Sequence, residues 1–492
     1  MSRFMTTVAR ASLYLYLSSL TGQVLGYIFW LVMMGLIGAE GLGYVAAISS
    51  LSSLVVPLIS LGISSSLARY LGEAYGSNDL NKLKEYLSSA IALTTVITLM
   101  TFFLIDVIAM FNVSLASYTP TMLLLTSAMI LLFSLSTPFG ALMVALKRTD
   151  LILLSNLVGG SLKIALGIML VMLTQSWVGA AISYTVVGAS LMVTGLMFMY
   201  RHLRPLTKPS LDALKDLLTA GLPVWLPGAI ATVGQQFGTV AVFGFKGAFE
   251  TGVYYVALTV SGILTSIPGS AFGVLVPTLA GLRDGRKRAT WRAINMSLAL
   301  VTPIAIGVAV YSAKVLSLLG EVYASGSPIL SMLAITVIPQ TISMGIGGLI
   351  YAYGMYRETL LLGMVTNVTR VVLYLTLTPL RGSYGAAIAM TTGTLAEFAA
   401  SLWLSKGIGL HMNWRHIAML LMIPVMLGSS YALNPPWILG ILTIALSYVL
   451  YPRIGLLTRE DLRYLAYGVL SKEVTIKIYN RFKDLIDLAI PP

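Results

Sequence analysis

Lys163, in "SNLVGGSLKIALGIM" at 155–169, has no charged neighbour for a dozen residues on either side. Arg370, in "TNVTRVVLYL", interrupts a second apolar run in the same way. A cation facing hydrocarbon costs a few kcal/mol or more, so such residues face a bundle interior or an aqueous cavity and mark a site. The chemistry open to this pair is anion binding. A phosphate or diphosphate accepts charge-assisted hydrogen bonds from both side chains, and a guanidinium can bind it in two places at once. Arg10 and Arg69, at the ends of the first two apolar runs, extend this set as an entry for the same head group; their plainer reading is as interfacial anchors. Gln23, Asn156, Gln235, Gln236, Gln340 and Asn367 are uncharged polar groups inside apolar runs. They suit a hydroxyl-rich ligand lining a polar cavity, although hydrogen bonds between helices account for such residues equally well. Two carboxylates, Glu397 and Asp106, also lie inside runs. Glu397 is placed to pair with Arg370 on the next helix, and either carboxylate is a candidate ion-coupling or counter-ion site. Lys163 has no comparable mate.

The elements that carry these residues are set by composition. The 492-residue chain is 57% hydrophobic and 10% charged, against about 25% charged in soluble domains. Runs of about 20 apolar residues, long enough to cross a ~30 Å hydrocarbon layer as helices, recur along almost the whole chain. The expected fold is an all-α polytopic membrane protein with about fourteen transmembrane helices. They fall near 12–37, 42–68, 87–110, 119–145, 151–173, 179–200 and 214–243, then near 251–280, 291–312, 328–352, 359–378, 384–404, 416–432 and 437–451. The first run is too long for a signal-peptide core and lacks a cleavage pattern. Cysteine is absent, which excludes disulfides and thiol chemistry.

Alternate loops are basic: "RHLRPLTKPSLDALK" and "RDGRKRATWR" are examples, while the opposite loops hold only Lys246, Lys314 and Arg381. With the chain ends, 26 of the 31 Lys and Arg fall on one side. The positive-inside rule makes that side cytoplasmic and, with an even helix count, puts both termini there in the cell membrane. The net charge of +13 is then mostly topology and contact with anionic membrane lipids. Nucleic-acid binding is not expected, because the charge is scattered over loops.

The sequence also repeats itself. "WVGAAISY" at 177–184 answers "SYGAAIAM" at 383–390, "GLIGAEGLGYVAA" at 35–47 answers "GFKGAFETGVYYVAL" at 244–258, and "LKRTD" at 146–150 answers "MYRET" at 355–359. Pro120 and Gly140 answer Pro328 and Gly348. The expected organisation is an N-lobe of six helices at 1–208, a C-lobe of six at 209–405, two extra helices at 406–455, and an amphipathic cytoplasmic tail at 456–492 lying on the membrane surface. Repeats of this kind bracket a substrate site near the bilayer midplane. Lys163 and Arg370 occupy equivalent places in the two repeats, one residue out of register when counted from Gly179 and Gly385.

With the repeat, "ARYLGEAYGSNDLNKLKEY" after the second helix, "ALKRTD" after the fourth and "GAAI" opening the sixth and twelfth, the chain resembles the multidrug/oligosaccharidyl-lipid/polysaccharide (MOP) superfamily. Within it the chain is similar to the Wzx-type polysaccharide flippases. The resemblance covers roughly residues 10–405. It implies two lobes around a cationic cavity and alternating access. The implied cargo is a lipid-linked oligosaccharide on a polyprenyl phosphate or diphosphate, moved for cell-surface glycan or glycoprotein assembly. Lys163 and Arg370 would hold the phosphate, polar helix residues the sugars, and helices thirteen and fourteen the lipid tail. No covalent chemistry, enzyme activity or cofactor is implied; a monomer is expected, functionally linked to glycosyltransferases. Two departures matter. Lipid II flippases carry arginines well inside helices one and two, where this chain has none between Arg10 and Glu40 or between Glu40 and Arg69. The superfamily's antiporters often place an acidic residue on helix one, also missing here.

A multidrug or organic-cation antiporter is the alternative within the superfamily, but it favours an acidic cavity. A membrane glycosyl polymerase needs a larger external loop than the roughly 15-residue "SAKVLSLLGEVYASG". A metal enzyme is not expected, since His202, His411 and His416 fall in loops without ligand spacing.

Overall fold

The apolar runs fold as helices throughout, as a chain without water along its flanks requires, because every backbone polar group must then bond within its own segment. A computed structural model of the protein describes residues 2–111, 117–282, 284–429, 431 and 436–457. The expected cytoplasmic tail from Thr458 lies outside the described residues. The elements are α1 (Ser2–Ile59), α2 (Ile63–Gly76), α3 (Leu80–Met110), α4 (Pro120–Ala145), α5 (Thr149–Thr174), α6 (Trp177–His202), α7 (Leu211–Lys246) and α8 (Ala248–Gly281). They continue as α9 (Arg286–Val310), α10 (Ser312–Ser317), a 3-10 turn (Glu321–Gly326), α11 (Ser327–Ala352), α12 (Tyr356–Gly407), α13 (Trp414–Gly428), α14 (Trp437–Ala445) and α15 (Ser447–Arg453). There is no β-strand among the described residues.

Among the described residues ten helices are long and apolar enough to cross a membrane. Two of them, in α1 and α12, are 50 and 52 residues long and are broken in the middle. Gly38 (φ 66°) and Gly382 (φ 59°) leave the helical region there, so each long helix is two spans joined by a one-residue turn. Counting those breaks gives twelve spans, and the shorter apolar segments Trp414–Gly428 and Trp437–Arg453 bring the total to the expected fourteen. The turns recur in step with the sequence repeat. Gly38 in α1 is answered by Gly247 (φ 82°) between α7 and α8, and Gln175 (φ 51°) between α5 and α6 by Gly382. A left-handed residue at the same place in both repeats reverses the chain in the fewest residues, and glycine takes that conformation without steric cost.

One expected helix is not continuous. The run read as 42–68 stops at Ile59 and restarts at Ile63. Pro57 removes a helix donor, and Leu61 (φ 46°) and Gly62 (φ 74°) are both left-handed. The freed Pro57 carbonyl accepts Trp225 Nε1 of α7 at 2.9 Å and Ser60 Oγ at 2.8 Å, so the break carries no orphaned acceptor there.

The chain divides into two compact units, residues 1–255 with 371–386, and residues 256–370 with 387–492. In the first, Leu67, Leu71, Leu83, Leu87, Leu142 and Leu217 form a buried core joining α2, α3, α4 and α7. At its edge Tyr86 Oη of α3 donates to Asp216 Oδ2 of α7 at 2.6 Å, and the Tyr86 ring stacks on Tyr70 at 4.7 Å. Hydrogen bonds to charged groups contribute about 1.5–3 kcal/mol. Tyr86→Phe is therefore expected to lower stability by about 1–2 kcal/mol, read as an earlier thermal unfolding transition in detergent. In the second unit Ile294, Leu298, Ile346, Leu349 and Leu420 form the core. Tyr451 Oη of α15 donates to the Leu420 carbonyl at 2.7 Å, tying the last described helix to α13.

Candidate functional site

Lys163 lies in the middle of α5 and is 5% exposed. Glycines flank it: Gly160 packs on Leu25 and Gly167 on Phe29 and Met33 of α1, which brings α1 against the α5 backbone. The ammonium is held over two rings, 4.6 Å from the Phe29 centroid and 4.5 Å from the Tyr184 centroid of α6. Phe29 and Tyr184 meet edge to face at 5.5 Å. Trp30 touches both, and packs at 4.6 Å against Tyr255 of α8. The result is an aromatic box from α1, α6 and α8 with one amine at its side. No carboxylate pairs with that amine among the described residues. Ring faces attract a desolvated cation by about 2 kcal/mol, enough to hold Lys163 in place but not to neutralise it. A buried positive charge balanced only by quadrupoles remains able to take an anion.

Arg370 lies in α12 and is also 5% exposed. Its Nη2 donates to Thr394 Oγ1 at 2.8 Å, and its Nε has no hydrogen-bond partner. Thr394 and Glu397 belong to the second span of α12, and Glu397 lies beside Thr366, whose Oγ1 donates to the Leu362 carbonyl at 2.7 Å. The direct Arg370–Glu397 ion pair expected from helix register is not formed. The guanidinium turns to Thr394, leaving the two charges in electrostatic range without contact. An ion pair does form elsewhere, Arg148 with Asp150 at 3.0 Å, but it is exposed. Asn367, one turn before Arg370, is 6% exposed; its Nδ2 donates to the Gly363 carbonyl at 2.7 Å and its Oδ1 is unbonded.

Counted from the structural turns, the two cations are in register. Lys163 precedes the left-handed Gln175 by twelve residues and Arg370 precedes the left-handed Gly382 by twelve, or about 18 Å along a helix. The one-residue offset seen against Gly179 and Gly385 arises after the turns, not before them.

The remaining expected residues are more scattered. Arg10 and Arg69 are exposed, the latter 5.6 Å from the Tyr70 ring. Asn156, half-buried, donates to Ser18 Oγ at 2.7 Å, bracing α5 on α1. Gln23 is exposed and bonds within its own helix to Ser19 at 3.3 Å. Gln235 is exposed, whereas Gln236 and Gln340 are half-buried. Asp106 accepts Ser127 Oγ at 2.7 Å, a polar link between α3 and α4. No cluster of three His or acidic side chains that could hold a metal occurs among the described residues. Sequence reasoning missed the aromatic box. The available signal was position: Trp and Tyr concentrate at the membrane interfaces, and Trp30, Tyr184 and Tyr255 lie well inside their helices.

The fold has solved relatives. The chain is similar to a lipid II flippase, MurJ, in an inward closed conformation, with a TM-score of 0.74 at 13% identity over 89% of this chain and 98% of that one. It is also similar to an inward-facing multidrug resistance MATE family transporter of the MOP superfamily, with a TM-score of 0.60 at 15% identity over 82% and 95%. A third is a MOP superfamily transporter from Pyrococcus furiosus, described as having a binding pocket of reversed polarity, with a TM-score of 0.51 at 16% identity over 81% and 94%. At these identities the likeness is one of fold. No curated protein matches the chain in sequence. The sequence model described as polysaccharide biosynthesis protein matches residues 8–283, more than half of the chain, and the chain belongs to that family.

Proposed function

We propose that the protein is a flippase that carries a polyprenyl phosphate- or diphosphate-linked oligosaccharide from the cytoplasmic to the outer leaflet by alternating access, for cell-surface glycan or glycoprotein assembly. The observation that carries this reading is Lys163: a buried mid-helix ammonium held by aromatic faces, with no carboxylate among the described residues to neutralise it. Arg370, twelve residues before its turn as Lys163 is before its own and with an unbonded Nε, is the second cation offered for the head group. Asn367 and the half-buried glutamines suit the sugars. Between α9 and the α14–α15 segment is an apolar cavity of about 160 Å³ lined by Pro303, Gly307, Ile441, Ile444 and Tyr448, a fitting surface for part of an isoprenoid tail.

The reaction is translocation without covalent change, and the loops rich in Lys and Arg lie on the cytoplasmic side. Cargo shifts the carrier between states only through a difference in affinity for them. The membrane potential, about 2.3 kcal/mol per charge per 100 mV, biases a charged head group without a coupled ion. Glu397 and Asp106 are the carboxylates available if an ion is coupled.

The deciding experiment reconstitutes the purified protein in liposomes carrying a fluorescent polyprenyl-diphosphate oligosaccharide in one leaflet and follows its appearance in the other. Protein-dependent flipping is expected. Failure to flip, together with ion-dependent counterflow of a fluorescent organic cation, would establish the antiporter reading instead.

A further inference from the structure

The two repeats meet where the repeat itself is best kept. Ala39 and Gly43 follow the Gly38 turn in α1, and Ala248 and Gly252 follow the Gly247 turn in α8; each lies 209 positions from its counterpart. Both segments belong to the first compact unit, and there they cross backbone to backbone. A Cβ on Gly43 would fall on the Ala248 carbonyl oxygen and come within 3.0 Å of the Gly252 nitrogen. A Cβ on Gly252 would fall on the Ala39 carbonyl oxygen and come within 3.2 Å of the Gly43 nitrogen. The contact is self-complementary, as an interface across a twofold axis must be, although it is made within one chain. Small residues four apart are what allow two helix backbones this close.

The other repeat-end turns join the same seam. Tyr44, next to Gly43, stacks on Trp177 just after the Gln175 turn, at 5.0 Å, and meets Phe243 at 6.1 Å. Tyr118 packs on Phe243 at 4.7 Å and donates to the Ala47 carbonyl at 3.2 Å. On the other flank Glu250 Oε2 accepts the Ser383 backbone N–H at 2.9 Å, directly after the Gly382 turn. All four turns are thus drawn to one crossing at the helix ends opposite the basic loops.

We propose that the Ala39–Gly43/Ala248–Gly252 crossing is the gate of the carrier at that membrane face, and that the Glu250–Ser383 bond is its latch. This rests on reading the chain as an alternating-access carrier. The seam itself is made of two alanines and two glycines. It is held by close dispersion contacts that lapse steeply with separation, and its four crossing residues carry no charge. The cores of both units, built from leucine and isoleucine, are constructed differently. The latch is a carboxylate on a backbone N–H, which water can replace when the turns separate. Reciprocity adds a kinetic feature: a shift of either repeat loosens both halves of the contact together, so the gate opens as one event.

The chain has no cysteine, so introduced thiols report alone. Ser49, 4% exposed, lies beyond Gly43 on the same helix. In Ser49→Cys, a membrane-impermeant maleimide applied from the face opposite the basic loops is expected to react about tenfold faster once Gly43→Leu and Gly252→Leu wedge the crossing. In a separate protein, Ala39→Cys and Ala248→Cys are joined by a short cleavable thiol cross-linker, with both glycines kept. Flipping is expected to fall at least about tenfold and to return on cleavage. An unchanged labelling rate in a wedged protein that remains folded would overturn the gate, and so would undiminished flipping by the cross-linked carrier. If the wedged protein does not fold, the cross-link decides alone. Faster labelling in a protein that moves no lipid-linked glycan would leave the gate standing and remove the cargo assignment.

Discussion

Lys163→Met is expected to slow flipping of a polyprenyl-diphosphate oligosaccharide by about ten- to a hundredfold while leaving thermal stability at or above the wild-type value. The rate estimate follows from the loss of one charge-assisted hydrogen bond to phosphate, about 1.5–3 kcal/mol, at about 1.4 kcal/mol per factor of ten. The stability estimate follows from what surrounds the amine. Phe29 and Tyr184 hold it by their faces, and no anion is left uncompensated when it goes. Methionine has nearly the same length, and its thioether makes favourable contacts with aromatic rings. Removing a buried charge also lifts its desolvation cost. Lys163→Arg, which keeps the charge in a bulkier group, is expected to retain an intermediate rate. The two measurements are the liposome flipping rate and the unfolding midpoint in detergent. Loss of several degrees of stability with an unaltered rate per folded molecule would show Lys163 to be a structural pin in the aromatic box and nothing more.

Much of the architecture was legible because a membrane imposes a coarse code. Apolar length gave the spans, and the repeat gave the equivalent places of Lys163 and Arg370 before their turns. The breaks were harder. Gly38 and Gly382 each carry a whole turn in one residue, so the spans they separate read in sequence as having loops that the structure does not contain. The interruption at Leu61 and Gly62 depends on a leucine taking a left-handed conformation, which no local propensity announces; Trp225, far along the chain, supplies the compensating bond to Pro57. At the site, isolated cations in apolar runs were visible because charge is rare there. Their partners were not. Phe29, Trp30 and Tyr184 look like ordinary apolar filling until the fold places an amine against them, and Thr394 looks like a tolerated helix hydroxyl until it takes Arg370. The Ala39–Gly43 and Ala248–Gly252 pairs lie within the repeat, yet sequence identity alone says nothing about whether equivalent residues touch.

Arg370→Met is expected to behave in the opposite way to the same change at Lys163. Arg370 is the cation nearest to Glu397, although the two do not touch, and it also donates to Thr394. Deleting the guanidinium leaves Glu397 without its nearest compensating charge. Breaking a contacting buried pair costs about 3–5 kcal/mol; with no direct contact here, a loss of about 2–3 kcal/mol is expected. Arg370→Met with Glu397→Gln removes both charges and is expected to recover most of that stability, the non-additivity of neighbours that a double-mutant cycle measures. Flipping separates the roles further. If the guanidinium holds cargo, the double variant regains stability but stays about tenfold slow; if Arg370 only balances Glu397, stability and rate recover together. Gly393→Ala provides an independent reading with every charge kept. A Cβ there would fall on Arg370 Cγ and lie 2.8 Å from the Thr366 carbonyl oxygen, so the arginine must leave its present course across the second span of α12. A slow carrier with both charges intact would then identify the position of the guanidinium, beyond its mere presence, as what the cargo requires.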